Sequence, residues 1–261
     1  MTPELDPEVA LAMLSWQVDL GVTEAICEAP INRYEVVIEA AKPKPAAAEI
    51  TAPMLVRPDA GVAVAAAKQL AAGAQDLFGL KAAMQSFELC DLKKGARNMV
   101  FADGNPASRV MIIGDAPDRD EDREGRPFVG KAGNLLGNML AAIGLSRTSR
   151  DAKSAVYITN AVPWRPPQDR DPSDQEMAML TPFLLRHIEL AKPEILVLMG
   201  NIACQALVGR RGIARLRGEW DTCQDLPVLP MLNPTHLLKT PAAKREAWLD
   251  LQAIRDRLKR M

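Results

Sequence analysis

Four apolar runs of strand length alternate with helix-length segments along the second half of the chain. They are VMII at 110–113, AVYI at 155–158, ILVLM at 195–199 and VLPML at 228–232. Helical patterns lie near 132–143, 174–191, 201–208 and 242–259. The stretch from Ser173 to Glu176, SDQE, has capping-box form. Thr240 stands as an N-cap before Pro241. Leu251, Ile254 and Leu258 give the last helix an apolar face. Strand–helix alternation predicts a parallel sheet covered by helices on both faces, joined by right-handed crossovers. The expected fold class is therefore α/β: a three-layer α/β/α sandwich around a central four-stranded parallel sheet.

Ligands of such sheets bind beyond the carboxyl ends of the strands. Four loops converge there. The first is GDAPDRDEDREGRPFVGKAG, Gly114 to Gly133, with six acidic side chains between Asp115 and Glu124. The second follows 158 with TNAVPW, the third starts at Gly200-Asn201, and the fourth reads NPTH, from Asn233 to His236.

Upstream the pattern is looser. Residues 7–20 predict a short helix, and 62–85 predict another. Between them, 40–61 are rich in Ala and Pro without helix or strand period, which predicts a flexible linker. The expected division is an N-terminal helical extension at 1–39, a linker at 40–61 and a globular domain at 62–261.

Residues 1–60 carry 4 basic and 10 acidic groups, and the remainder carries 28 and 23. A mildly basic domain beside an acidic extension is compatible with a polyanionic partner. No apolar run has the length of a membrane span, and the first residues lack signal-peptide features. A cytoplasmic, nucleoid-associated monomer is expected. Cys27, Cys90, Cys204 and Cys223 show no zinc-type spacing, so free thiols are expected. No P-loop or dinucleotide-binding glycine pattern supports an enzyme of free nucleotides.

The series G-D-A-P-x-x-x-E-D-x-x-G-R-P-F-V-G-x-A-G, then Y-I-T-N, then W-R-P-P-x-x-R-x-P, then N-P-x-x-L-L-K-x-P resembles the family-4 uracil-DNA glycosylases in order and spacing, from about Cys90 to the end. The resemblance implies excision of uracil from DNA by base flipping, as the opening step of base excision repair, with uracil as product. It assigns Gly114, Ala116, Glu121, Phe128 and Asn160 to base binding. Phe128, which alone would read as a core anchor, becomes the ring that stacks on the base. The Asn160 amide matches uracil N3–H and O4, the reverse of the cytosine pattern. Glu121 falls where bulk near uracil C5 would exclude thymine.

Asp115 and Asp118 are candidates for positioning water, with Asp118 equally able to point to solvent. Asn233, where the family has His, is the candidate donor to uracil O2. The mismatch-specific branch begins this loop with Asn-Pro-Ser, so Asn has precedent. His236 is a possible assistant. Arg215 and Arg217, in the basic stretch 209–218, are expected to contact phosphate. Leu237, Leu238 and Lys239 resemble the wedge that enters the duplex, with Lys where the family has Arg.

The family binds a [4Fe–4S] cluster through four cysteines. Here Cys90 matches, while Phe87, Trp164 and Leu180 take the other three positions. No iron–sulfur cluster or other metal is expected. The rival expectation is a catalytically weak or silent homologue that binds uracil-containing or abasic DNA.

Overall fold

The computed structural model describes residues 7–19 and 60–261. The chain divides into two units, Met1–Leu55 and Val56–Met261. In the first, helix α1 spans Pro7–Asp19, as the sequence predicts. The remainder of the extension and nearly all of the linker lie outside the described residues.

The second unit holds a six-stranded sheet. Its strands are β1 (Asp103–Gly104), β2 (Val110–Gly114), β3 (Val156–Asn160), β4 (Ile195–Met199), β5 (Asp221–Cys223) and β6 (Leu226–Met231), in the order β1-β3-β2-β4-β6-β5. The four predicted strands form a parallel core of neighbouring pairs, β3 with β2, β2 with β4 and β4 with β6. The expected four-stranded sheet is thus extended by two antiparallel edges. β1 pairs with β3, and β5 pairs with β6 across a turn whose two residues, Gln224 and Asp225, both have positive φ.

Helices α2 (Ala60–Gly73), α3 (Leu77–Ser86), α4 (Leu92–Gly95), α5 (Arg119–Glu124), α6 (Gly130–Ala141), α7 (Asp174–Ala191), α8 (Asn201–Val208), α9 (Ile213–Leu216), α10 (Pro234–Lys239) and α11 (Lys244–Arg260) complete the unit. The continuous helix expected over 62–85 is two helices. Asp76 caps the second by accepting from the Gly79 N–H. Ser173 and Glu176 form the expected reciprocal cap on α7. Thr240 makes no side-chain cap; a 3₁₀ turn, Pro241–Ala243, intervenes before α11.

Strand residues alternate between two cores. Met111, Ile113, Leu196 and Leu198 pack in one, with side chains of α2, α3, α7 and α8. Val110, Ile112, Ile195 and Val197 pack in the other, with α6 and α11. Because both faces are covered, β2 and β4 read as near-continuous apolar runs, and β3 does so up to its polar end at Thr159 and Asn160. In α7, His187 is buried, with Nε2 2.9 Å from the Tyr157 hydroxyl and its ring stacked on Phe101. Burial pushes its imidazole down to about 3, so it stays neutral. Among the described residues, no helix is long and apolar enough to cross a membrane.

Candidate active site

The carboxyl ends of β2, β3 and β4 are level. Gly114 is opposite Asn160 on one side and Met199 on the other. Beyond them the Ala161 N–H donates to the Gly114 carbonyl at 2.8 Å, and the Val162 N–H to the Asp115 carbonyl at 3.1 Å. The first two loops therefore leave the sheet as a joined pair.

Three predicted residues meet at this edge. A Cβ on Gly114 would lie 2.4 Å from Asn160 Oδ1 and 2.7 Å from Phe128 Cε2. Only the missing side chain lets ring and amide come together there. Asn160 is 5% exposed, and its Nδ2 is buried without a hydrogen-bond partner. Buried polar atoms are normally satisfied, so this donor calls for an acceptor from outside the chain.

Phe128 sits in the left-handed region, at φ 50°. A non-glycine residue there costs on the order of 1–3 kcal/mol and needs surrounding restraint. Glu121 supplies part of it. Its Oε1 accepts from the Phe128 N–H and its Oε2 from the Asp118 N–H, the latter at 2.8 Å. Gly133 supplies more: its Cα faces the Phe128 carbonyl so closely that a Cβ would lie 1.9 Å from that oxygen. Burial lifts the Glu121 carboxyl to about 7, against the two backbone donors.

The first loop is not the open loop its charge suggests, because it folds into α5. Asp118 caps this helix, with Oδ1 accepting from the Asp120 and Glu121 N–H groups. Asp122 holds the backbone of Arg97 and Asn98. Asp120 and Glu124 pair with Arg123, and Glu124 also with Arg126. The acidic run is thus divided between caps, backbone struts and ion pairs.

Asp115 reaches across to the start of α8. Its Oδ1 accepts from the Ile202 N–H at 2.8 Å and the Ala203 N–H at 3.0 Å. The carboxylate presses on Gly200, where a Cβ would lie 2.0 Å from Oδ2. Burial raises its carboxyl to about 6, so it is ionised at neutral pH. Ala116 is half-buried beside it. Asn233 caps α10 through Oδ1, which accepts from the Thr235 N–H at 2.9 Å. Its Nδ2 donates to the Met199 carbonyl at 3.2 Å, leaving the second amide hydrogen uncommitted. His236 is exposed within α10.

Two of the expected DNA contacts are corrected. Arg217 is committed inside the protein, with Nε donating to Asp250 Oδ2 at 2.9 Å, a second bond to the same carboxylate, and one to the Glu246 carbonyl. Asp250 is fully buried, so the guanidinium is the counter-ion of an internal charge, not a phosphate contact. Leu237 is 1% exposed and belongs to the core, whereas Leu238 is 41% exposed. Lys239 and Arg215 are exposed, and no ion pair to either is found among the described residues. Arg210 and Arg211 pair with Asp221 and Asp171.

Phe87, Cys90, Trp164 and Leu180 all lie buried in one apolar core. They offer one sulfur and no other metal donor, and burial lifts the Cys90 thiol to about 11. That set does not fit a cluster held by four thiolates. Among the described residues, no group of three or more His, Cys, Asp or Glu side chains could hold a metal ion.

Sequence reasoning placed Gly200 at the start of the third loop without giving it a role, and missed Arg147. Gly200 had a signal, a glycine directly after a strand. Arg147 had none, since its partners Asp103 and Pro127 are distant in sequence.

Residues 101–252 match the model of the uracil DNA glycosylase superfamily. A type-4 uracil-DNA glycosylase of Archaeoglobus fulgidus is 35% identical over 182 residues, covering 66% of this chain and 87% of that protein. One from Sulfurisphaera tokodaii is 34% identical over 187 residues, covering 68% and 82%. One from Thermotoga maritima is 37% identical over 153 residues, covering 58% and 77%.

Proposed function

Because the chain belongs to the uracil-DNA glycosylase superfamily, we propose that it is a DNA N-glycosylase that hydrolyses the N-glycosidic bond of deoxyuridine. It then acts as a monomer that flips the nucleotide out of the duplex and opens base excision repair. One observation carries the assignment to uracil: the buried, unpartnered Nδ2 of Asn160 beside the Phe128 ring over Gly114. Uracil O4 is an acceptor for that donor, and Oδ1 accepts uracil N3–H. Cytosine presents a donor and an acceptor in the opposite order, leaving both amide atoms opposed by like groups. Phe128 supplies the stacking face. Glu121 fixes the turn bearing that ring and adds bulk near C5.

In the chemical step the C1′–N1 bond breaks and its electron pair passes to the uracil ring, with charge gathering on O2. Water then adds to C1′, and a proton is lost to solvent or carboxylate. The uncommitted hydrogen of Asn233 Nδ2 is the donor toward O2, with His236 in support from the same helix. Asp115, ionised above about pH 6, stands at the strand ends to orient water through its Oδ2 and to offset positive charge on the sugar. Asp118, with one oxygen spent on a helix cap, is the lesser candidate. Arg215 and Lys239 meet phosphate, and Leu238 enters the stack left by the flipped base.

The second reading, a silent homologue that binds uracil-containing or abasic DNA, is favoured by the missing cluster cysteines and by Asn233, whose amide is already engaged at both atoms. A labelled duplex with one uracil separates the two. Strand scission after alkali supports the enzyme. Retention of the duplex without scission supports the binder.

A further inference from the structure

Arg147 lies at the far end of β3 from the base pocket, yet it touches the turn that carries Phe128. Ser146 bridges to Ala155, just before that strand. From there the Arg147 side chain extends so that Nη1 donates to the Pro127 carbonyl at 3.3 Å and to Asp103 Oδ2 at 3.1 Å. Its Nη2 is buried without a partner. The side chain is 18% exposed and lines a cleft beside Phe128, yet Nη2 is turned inward with its donor unspent, which is costly for a polar atom. Its position must serve the groups it does touch.

We propose that Arg147 is a positioning residue for the base pocket: through the Pro127 carbonyl and the charge it presents to Glu121, it holds the turn that aims the Phe128 ring. The inference rests on the reading of that pocket as the uracil site. Phe128 is then restrained on three sides, by Glu121 at its N–H, by Gly133 at its carbonyl and by Arg147 at the preceding carbonyl. Such restraint is what a positive φ at a bulky residue requires. The charged groups acting on Glu121 are Asp118 on its own element and Arg147 from the connection before β3. Asp118 disfavours the carboxylate and Arg147 favours it, while Asp103 neutralises part of the Arg147 charge. Only the ionised Glu121 accepts from both backbone N–H groups without a competing proton. Loss of Arg147 therefore loosens the turn directly and makes Glu121 easier to protonate.

The test compares the full chain with Arg147→Gln and Arg147→Lys by amide hydrogen exchange and by single-turnover excision from uracil-containing DNA across pH. In Arg147→Gln the Phe128 amide should exchange about tenfold faster or more, while β2 and β4 amides keep their protection. The acid limb of the excision profile should move to higher pH. Arg147→Lys, which keeps the charge, should leave the limb in place and restore part of the protection. Unchanged Phe128 exchange and an unmoved limb in Arg147→Gln overturn the proposal, as does faster exchange spread equally over β2 and β4. If the native chain leaves uracil DNA uncut, it is the uracil reading that fails, and Phe128 exchange still decides the role of Arg147.

Discussion

Gly114 and Asn160 are paired across two parallel strands so closely that a Cβ on the glycine would lie 2.4 Å from the amide oxygen. The same Cβ would lie 2.7 Å from the Phe128 ring, so neither neighbour can retreat without moving the other. Gly114→Ala should therefore displace ring or amide and close the pocket. Overpacking of this kind costs roughly 1–3 kcal/mol. Excision should fall by about tenfold or more, as strain enters the bound state. Native-like single-turnover rates in Gly114→Ala would show that ring and amide do not form the pocket together.

Asn160→Ala separates recognition from stability. The Nδ2 atom has no partner to lose, so deleting it removes a buried unsatisfied donor. Thermal stability should be unchanged or higher. Preference for uracil-containing over undamaged DNA should drop by roughly 1–3 kcal/mol, with non-specific affinity retained. A large loss of melting temperature would place the amide among the structural hydrogen bonds instead.

The four central strands were legible because burial on both faces makes their sequences predominantly apolar, with Thr159 and Asn160 of β3 the polar exception at the site. β1 and β5 were not, since Asp103–Gly104 and Asp221–Cys223 are short and polar and draw their pairing from neighbours. The β5–β6 turn hides for a related reason: Gln224 and Asp225 take positive φ without the glycine that announces such turns. Phe128 and Asn160 were singled out by motif and do meet over Gly114. Arg217 was misread because its partner, Asp250, is 33 residues away. Adjacent leucines at 237 and 238 gave no sign of which one the α10 geometry would bury. In the acidic run, the caps and backbone struts made by Asp118, Glu121 and Asp122 leave no trace in charge pattern alone.

Asn233 combines a cap and a candidate donor, and Asn233→Asp divides them. Aspartate keeps the oxygen that caps α10 and loses the Nδ2 hydrogens. Melting should fall by at least the loss of one hydrogen bond, about 1 kcal/mol, because a carboxylate oxygen then faces the Met199 carbonyl that Nδ2 served. Single-turnover excision should fall by about 10²-fold, the usual effect of removing a donor to developing negative charge. If Asn233→Asp cuts as fast as the native chain, the donor lies elsewhere, with His236 the next residue to change.

Glu121 couples the fold to pH. Its carboxyl titrates near about 7 in the folded chain, against an ordinary 4.5, because burial disfavours the charge. The folded state therefore holds the proton more tightly. The associated stability, on the order of 3 kcal/mol, is fully present below the unfolded value and lost as pH rises through the folded one. Asp115 acts in the same direction. Neutral His187 acts in the opposite one. The difference between native and Glu121→Gln isolates the first term. From about pH 5 to 8 the native chain should lose stability relative to the variant in denaturant melts. A difference independent of pH would mean that Glu121 titrates near its ordinary value.

Arg215 and Arg217 are two residues apart and should behave oppositely in DNA binding. Arg215 is exposed, with no ion pair to it among the described residues, so it is free to meet phosphate. Arg215→Ala should weaken binding to uracil-containing and undamaged duplexes alike. It should also reduce the slope of log affinity against log salt by about one. Arg217 neutralises Asp250, whose side chain is 1% exposed. Removing the arginine leaves a buried carboxylate without its counter-ion, which costs about 3–5 kcal/mol of stability. Arg217→Ala should therefore lower the melting temperature and leave the salt slope as it was. Arg217→Ala combined with Asp250→Asn should recover much of the stability, because the charge needing compensation is gone. A reduced salt slope in a well-folded Arg217→Ala, Asp250→Asn double variant would return Arg217 to the DNA surface.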